Sequence, residues 1–529
     1  MSGASPSGIW RNLASRLLRV RSARGVYFTT TLISMLSKPL GYLRNLIVAW
    51  AFGTSAAMDA YHAAAGIVSL FAGSVGFAVE SSVLPEMERI RKESGGDMRR
   101  CRSLFAVCAW ATLALTCLLC AAFAVAPGVL VKFIASGFDE ERVRIGALMI
   151  WWLSPFAFIT IFRPLADVWA LFTEKFTVAA VCGILFNFIA IPTLLFLRPV
   201  IGPYAVAACM SVGHGVLFVV FMTVLRGIPM KMGAAPVSRG SLSRVSANAF
   251  YSMLISSSGT LYTIVDKYFA SGLPVGAVAA ISYGALLLGL ISTVSLTPIS
   301  FFLAKISRLV TESPLEGEEM TRQCVAISFA YVLPIGFITS VAARPIVSVI
   351  FGWGNFDERS VAMTATCLAG YNLGLAFAIP ATIIYRYAQA RQRLGVMTPL
   401  IYAMVGLNAL LDWAMVGRWG LWGLALATSV TQMCSFAVYY KFTMSGSLIR
   451  FLLESKFHWQ LAAVSATCAL VSASSGLGTA SQLFIAAAAA AAYLFAAEKT
   501  GIMPRVPEHW RPTGLLAFFA QAARSVIRS

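Results

Sequence analysis

The sequence is poor in charged residues. Only 12% of its 529 residues are Asp, Glu, Lys or Arg, whereas 58% are hydrophobic and the mean hydropathy is +0.77. A soluble domain carries about 25% charged residues, so this chain has too few to cover a water-facing surface. Each membrane crossing takes about 20 apolar residues, and the apolar fraction is enough for about fourteen crossings. The composition therefore predicts a polytopic membrane protein.

The chain also lacks the motifs on which most enzymes depend. Its four histidines are scattered at positions 62, 214, 458 and 509, which leaves no cluster for a zinc site. No GxxxxGK[ST] phosphate loop is present, and neither HExxH nor GxSxG occurs. We therefore expect a transporter without a resident cofactor rather than an enzyme.

Apolar stretches bounded by charged residues or by Gly and Pro predict fourteen spans. They fall at 27–52, 59–84, 103–126, 145–172, 176–197, 202–225, 246–270, 276–304, 323–343, 360–388, 395–415, 419–440, 458–475 and 481–497. We expect an all-α polytopic membrane protein with two pseudo-symmetric six-helix lobes and two C-terminal helices. The predicted parts are a basic N-terminus (1–26), an N-lobe (27–225), a linker (226–245), a C-lobe (246–440), helices 13 and 14 with their preceding loop (441–497) and a basic tail (498–529).

Basic residues are distributed unequally between alternate loops. If the N-terminus lies inside, the inner segments contain 30 Lys and Arg, and the outer loops, including the one with Arg142, contain 7. The positive-inside rule then places both termini in the cytoplasm. These loops account for the net charge of +19 and attract anionic lipid headgroups, so we expect membrane lipids and no nucleic acid as partners.

A short motif is repeated 218 residues apart. Gly137–Val143 reads GFDEERV and Asn355–Val361 reads NFDERSV, and each precedes the fourth predicted span of its block. Transporters are commonly built from duplicated bundles that enclose the substrate path. The repeat supports the division into two blocks of six.

Two cations lie inside the first predicted span. Ionisable residues within spans cost about 2.5–3.5 kcal/mol on insertion scales and are therefore functional candidates. Lys38 and Arg44 flank Pro39 and need an anion from protein or substrate; Asp59, at the start of the second span, is the protein candidate. A guanidinium and an ammonium suit a pyrophosphate. The alternative is that both cations extend to the lipid headgroups.

Other polar residues predict an ion pair and a cation site. Arg163 and Asp167 stand four apart, which favours a structural pair on one helix face. Asn408 and Asp412 share the same spacing, and a hydroxyl from Thr428 and a carboxylate from Asp266 would complete a set of oxygen ligands. Such ligands suit a small hard cation, here Na⁺, or a proton. The alternative is interhelical hydrogen bonding.

A set of short motifs is spread over nearly the whole chain, at Ser37–Asp59, Leu84-Pro85, Val265–Ser271, Gly352–Asp357, Tyr387-Ala388 and Thr398-Pro399. Together these motifs resemble the MurJ/MviN family of lipid II flippases, within the multidrug/oligosaccharidyl-lipid/polysaccharide exporter superfamily. The resemblance implies a cationic central cavity that alternates between inward-open and outward-open forms in the bacterial cytoplasmic (inner) membrane. The implied cargo is undecaprenyl-pyrophosphate-linked disaccharide-pentapeptide, and proteins of cell-wall synthesis are implied as partners.

The resemblance also assigns residues. Lys38 takes the place of a family arginine, Arg44 matches a second one and Asp59 matches an acidic residue, which together imply substrate binding. A second set resembles the family's sodium site: Asp266, Asn408, Asp412 and Thr428. Two further family arginines are missing, because Gly66–Val79 and Ile281–Leu286 contain no charge. The alternatives are therefore a flippase for another undecaprenyl-linked oligosaccharide and a cation-coupled drug exporter.

Overall fold

The computed structural model describes residues 23–173, 176–224, 236–474 and 476–499, and these residues contain helices and no strand. The α-helices are α1 Ala23–Phe52, α2 Ala56–Val68, α3 Ser74–Glu93, α4 Met98–Val125, α5 Pro127–Ile134, α6 Glu140–Phe172, α7 Phe176–Ile201, α8 Ala205–Val224, α9 Arg239–Ala270, α10 Ala277–Glu312, α11 Pro314–Val341, α12 Ala343–Phe351, α13 Glu358–Ala390, α14 Leu394–Thr443, α15 Leu448–Glu454, α16 Phe457–Ala473 and α17 Thr479–Lys499. A π-helical turn, Ser69–Gly73, joins α2 to α3, and a 3₁₀ turn, Gly202–Tyr204, precedes α8.

The helices confirm the predicted multi-span membrane fold. Each of the fourteen predicted spans overlaps a helix in the described part of the chain. By length and hydropathy alone, eight segments of those residues are sufficient to cross a membrane. One of them, Leu394–Thr443, contains two predicted spans, because Gly420 (φ 53°, ψ −132°) interrupts the helix between them. Such a backbone conformation favours glycine, which has no Cβ to clash.

The repeated motif is also repeated in structure. Asp139 caps α6 by accepting the backbone N–H of Arg142, and Asp357 caps α13 by accepting that of Ser360. Phe138 and Phe356, just before these caps, are both buried. A short helix that the sequence analysis did not predict, α5 or α12, precedes each motif. The duplication therefore extends beyond the two seven-residue segments.

The chain forms two compact units that divide between Ile264 and Val265, within α9. In the first unit α6 packs against α2, α3, α4 and α8, with the rings of Phe105 and Trp169 5.2 Å apart. In the second unit α13 packs against α10, α11 and α14, and the Ser429 hydroxyl donates to the Gly370 carbonyl at 2.6 Å. The boundaries of the N-lobe (27–225), the linker (226–245) and the C-lobe (246–440) stay predictions from the sequence. The predicted N-terminus (1–26) and tail (498–529) lie almost wholly outside the described residues.

Candidate functional site

A buried polar cluster occupies the second unit, where the end of α9 meets α13 and α14. Asn408 Nδ2 on α14 donates to Asp266 Oδ1 on α9 at 2.9 Å and lies 2.9 Å from Asp412 Oδ2. Thr428 Oγ1, further along α14, lies 3.2 Å from Asp266 Oδ2. Tyr371 OH on α13 donates to the same oxygen at 2.9 Å. The structure thus brings together all four residues predicted to hold a cation.

Two features of the local sequence produce this arrangement. The spacing of Asn408 and Asp412 places their side chains one turn apart on the same face of α14. The non-helical backbone of Gly420 then changes the direction of the chain. The two segments pack closely after this bend, because a Cβ on Gly423 would lie only 2.6 Å from the Met415 carbonyl oxygen. The return segment brings Thr428 to Asp266.

The cluster has oxygen acceptors that no group in the described residues satisfies. Asn408 and Asp412 are fully buried, yet Asn408 Oδ1 and Asp412 Oδ1 have no hydrogen-bond partner there. Buried acceptors without a partner are costly. The carboxyl groups of Asp266 and Asp412 both lie in this cluster, and Lys267 interacts electrostatically with Asp266. Unpaired acceptor oxygens beside two carboxyl groups suit a small hard cation or a proton.

The two cations predicted to bind substrate lie on α1, in the first unit. Lys38 is exposed and Arg44 is half-buried. Arg44 Nη1 lies 3.2 Å from Met210 Sδ, and the guanidinium lies 5.3 Å from the centre of the Phe186 ring. Neither cation pairs with a carboxylate within the part of the chain that the structure describes.

Asp59 is paired with an arginine that the sequence analysis placed in an outer loop. It is fully buried, and Arg142 Nη1 lies 3.7 Å from its Oδ2. Arg142 Nε also donates to Asp139 at 2.7 Å. Asp59 thus has a cation partner outside α1. The sequence signal for an ordered Arg142 was its position three residues after Asp139, the N-cap of α6, within the repeated motif.

The predicted pair of Arg163 and Asp167 is present on α6. Arg163 Nε lies 3.3 Å from Asp167 Oδ2, with 32% and 13% of the two side chains exposed. His214 lies within electrostatic reach of both Arg163 and Arg44, and its ring is tilted by 50° against that of Phe186, with ring centres 4.1 Å apart. Neither His214 nor Tyr371 was singled out from the sequence, although a histidine within an apolar span is itself a functional signal.

Comparison with known protein families identifies the chain. A family model described as "Lipid II flippase MurJ" matches residues 48–495, which is most of the sequence. The chain belongs to the MurJ family of lipid II flippases. MurJ proteins are transporters, so the family excludes the enzyme classes already disfavoured by the missing motifs.

Named MurJ relatives match over most of their length. A probable lipid II flippase MurJ from Aquifex aeolicus is 24% identical over 444 residues, which cover 80% of this chain and 85% of the relative. The lipid II flippase MurJ from Burkholderia cenocepacia is 24% identical over 417 residues, covering 76% of this chain and 80% of the relative. The match therefore extends through both compact units.

Solved structures show the same fold. A lipid II flippase MurJ in an inward-closed conformation aligns with a TM-score of 0.73 at 16% identity, covering 89% of this chain and 99% of that chain. An inward-facing multidrug resistance MATE family transporter of the MOP superfamily aligns with a TM-score of 0.62 at 15% identity, covering 80% and 95%. At these identities the likeness concerns the fold alone, and the MurJ assignment rests on the family match.

Proposed function

We propose that the chain moves lipid II, the undecaprenyl-pyrophosphate-linked peptidoglycan precursor, from the inner to the outer leaflet of the bacterial cytoplasmic membrane by alternating access. The observation that carries this proposal is Arg44, a half-buried cation on a membrane helix without a carboxylate partner among the described residues. Membership of the MurJ family and the names of its relatives support the choice of cargo.

The chemistry of α1 suits the pyrophosphate of this cargo. Arg44 has the planar guanidinium that binds phosphate oxygens in a bidentate way, and Lys38 acts as a point charge. The two residues are six apart, or roughly 9 Å along the helix axis. A bound pyrophosphate would offset the cost of two cations in an apolar environment. Binding drives the conformational change only as far as its affinity differs between the inward-open and outward-open forms.

We also propose that Na⁺, or a proton, binds at Asp266, Asn408, Asp412 and Thr428. The unsatisfied oxygens of Asn408 and Asp412 and the two neighbouring carboxyl groups support this assignment. A bound Na⁺ would be coordinated by these oxygens, and a bound proton would be held between the two carboxyl groups. The cluster would then favour one conformation over the other according to which form holds the cation more tightly.

Lipid II and the surrounding membrane lipids are the proposed partners, with proteins of cell-wall synthesis in addition. The distribution of Lys and Arg supports cytoplasmic positions for both termini. This orientation places the predicted lipid-binding loops at the leaflet where the precursor is made.

Reconstituted transport tests the role of Arg44. Arg44→Ala should reduce lipid II flipping in proteoliposomes by at least about tenfold, because a charge-assisted bidentate contact is worth about 1.5–3 kcal/mol. Arg308→Ala is the matched control, since Arg308 is 74% exposed and pairs with Glu312 near the end of α10. Transport by Arg44→Ala at the wild-type rate would refute the proposal for this residue.

Complementation tests the cargo. We expect the chain to support growth of cells depleted of their own lipid II flippase and to expose labelled lipid II at the outer leaflet. Lysis despite normal membrane insertion, together with transport of another undecaprenyl-linked glycan in proteoliposomes, would show that the cargo is not lipid II. The absence of the two family arginines would then reflect a different cargo.

A further inference from the structure

A polar cavity lies in the first unit, where the end of α3 and the start of α4 meet the start of α9. Its volume is about 180 Å³, and three arginines line it: Arg89, Arg100 and Arg244. Three serines, at positions 94, 238 and 241, add hydroxyl groups to the wall. The distribution of basic residues predicts that this end of the helices faces the cytoplasm.

The cavity carries a net positive charge. Glu86 is buried and lies 2.6 Å from Arg89 Nη2 and 3.0 Å from Arg244 Nη2, which fixes both guanidiniums. Glu93 lies 2.6 Å from Arg89 Nη1. Arg100 pairs with no carboxylate within the described ranges. Three cations against two carboxylates leave one positive charge for an anionic ligand.

An apolar cavity continues along the same three helices. Its volume is about 280 Å³, and its walls include Val79 of α3, Leu115 of α4 and Met253 of α9. The two cavities are neighbours along α9, where Ser241 lines the polar one and Leu242 the apolar one. The stretch of α9 from Arg244 to Met253 corresponds to roughly 14 Å of helix. A cationic pocket thus lies beside an apolar cleft that is lined by the membrane-spanning part of the same helices.

We infer that these two cavities form a binding site for an anionic phospholipid of the inner leaflet. Arginine and serine side chains would bind the phosphate, since guanidinium groups pair with phosphate oxygens in a bidentate way. The apolar cleft would take an acyl chain, whose burial contributes about 0.8 kcal/mol per CH₂. Neither cavity includes Lys38 or Arg44. The site is therefore separate from the proposed cargo site, and its test needs no transport measurement.

Lipid titration of the delipidated full-length protein in detergent, followed by native mass spectrometry, tests the site. Phosphatidylglycerol should bind about tenfold more tightly than phosphatidylcholine of the same chain length, which corresponds to one charge-assisted contact. Arg100→Gln should abolish most of this preference. Arg99→Gln is the control, because Arg99 is the exposed neighbour outside the cavity lining. Equal binding of the two lipids by the wild-type protein would overturn the inference.

The apolar part has its own test. Ala249→Phe should fill the cleft and weaken binding of both lipids, whereas Ala247→Phe, two residues away and outside the lining, should not. If Arg100→Gln proves unstable, Ser94→Asp places a negative charge in the same cavity and should also remove the preference. Competition by inorganic phosphate, with no effect of Ala249→Phe, would show a phosphate site without a lipid and would overturn the inference.

Discussion

The Arg142 guanidinium lies 3.7 Å from the carboxylate of Asp59 and joins the start of α6 to the start of α2. Both residues are buried, and the guanidinium also lies 4.6 Å from the centre of the Phe138 ring. Asp59 therefore has a neutralising partner within its own unit. The proposed pyrophosphate site at Lys38 and Arg44 therefore does not have to supply the cation partner of Asp59.

Removal of Arg142 should destabilise the first unit. Arg142→Gln leaves the Asp59 carboxylate buried without its cation, which typically costs about 3–5 kcal/mol. We expect a clearly lower Tm in detergent by scanning fluorimetry. The double variant Arg142→Gln/Asp59→Asn should recover most of the loss, because no uncompensated charge remains.

Arg144→Gln provides the control for this pair, since Arg144 is exposed on the same turn of α6. Its Tm should match that of the wild-type protein. An Arg142→Gln variant as stable as Arg144→Gln would show that Asp59 does not depend on the pair.

Close packing of α13 on α14 makes Gly374 sensitive to substitution. A Cβ there would lie 2.7 Å from both Cα and Oγ of Ser429. Gly374→Ala should therefore cost about 1–3 kcal/mol through overpacking. At Gly406, also helical, nothing lies within 4 Å of the added Cβ, so Gly406→Ala should be neutral or stabilising by up to about 1 kcal/mol. Comparable Tm values for the two variants would contradict this account of the interface.

The cap of α13 should give a pH-dependent contribution to stability. The hydroxyl of Ser360 and then its backbone N–H hold the pKa of Asp357 below its ordinary value. Because the pKa of Asp357 is lower in the folded state, its ionised carboxylate stabilises the fold fully above the unfolded-state pKa of about 3.9. This stabilisation is lost as the pH falls through the folded-state pKa.

Asp357→Ala tests this cap. Loss of an N-cap costs about 1 kcal/mol, so the variant should melt below the wild-type protein at neutral pH. The difference between the two Tm values should narrow below about pH 4. Asp357→Asn should retain the cap without the pH dependence, since Asn is an equally good N-cap. A Tm difference that does not change with pH would exclude the carboxylate as its source.

The sequence predicted the spans well because their signal is local. Apolar runs interrupted by charge or glycine determine where a helix lies in a membrane, and the spacing of Asn408 and Asp412 determines that they share a face. Contacts between segments that are distant in the sequence were harder to predict. Arg142 was counted as a loop residue, since its burial depends on how α6 packs against α2. Tyr371 contacts Asp266 only because α13 packs beside the polar cluster.

The short helices α5 and α12 also escaped prediction. Each contains only eight or nine residues, so an apolar run of that length is indistinguishable from the end of a neighbouring span. The two short helices are equivalent, because Asp139 and Asp357 cap the helices that follow them in the same way. The structural repeat therefore supports the duplication more strongly than the sequence motif.

Sodium should stabilise the wild-type protein through the cluster around Asp266. A ligand that binds the folded state alone adds about 2.7 kcal/mol at 100 times its Kd, so the Tm should rise with NaCl relative to choline chloride. Asp412→Asn removes one carboxylate ligand and should abolish the sodium-dependent part of this rise. Glu312→Gln, which changes an exposed carboxylate on α10, should retain it. A sodium response that survives in Asp412→Asn would exclude the cluster as the sodium site. If the Tm of the wild-type protein does not respond to sodium, and Asp412→Asn changes the pH dependence of the Tm, the cluster binds a proton instead.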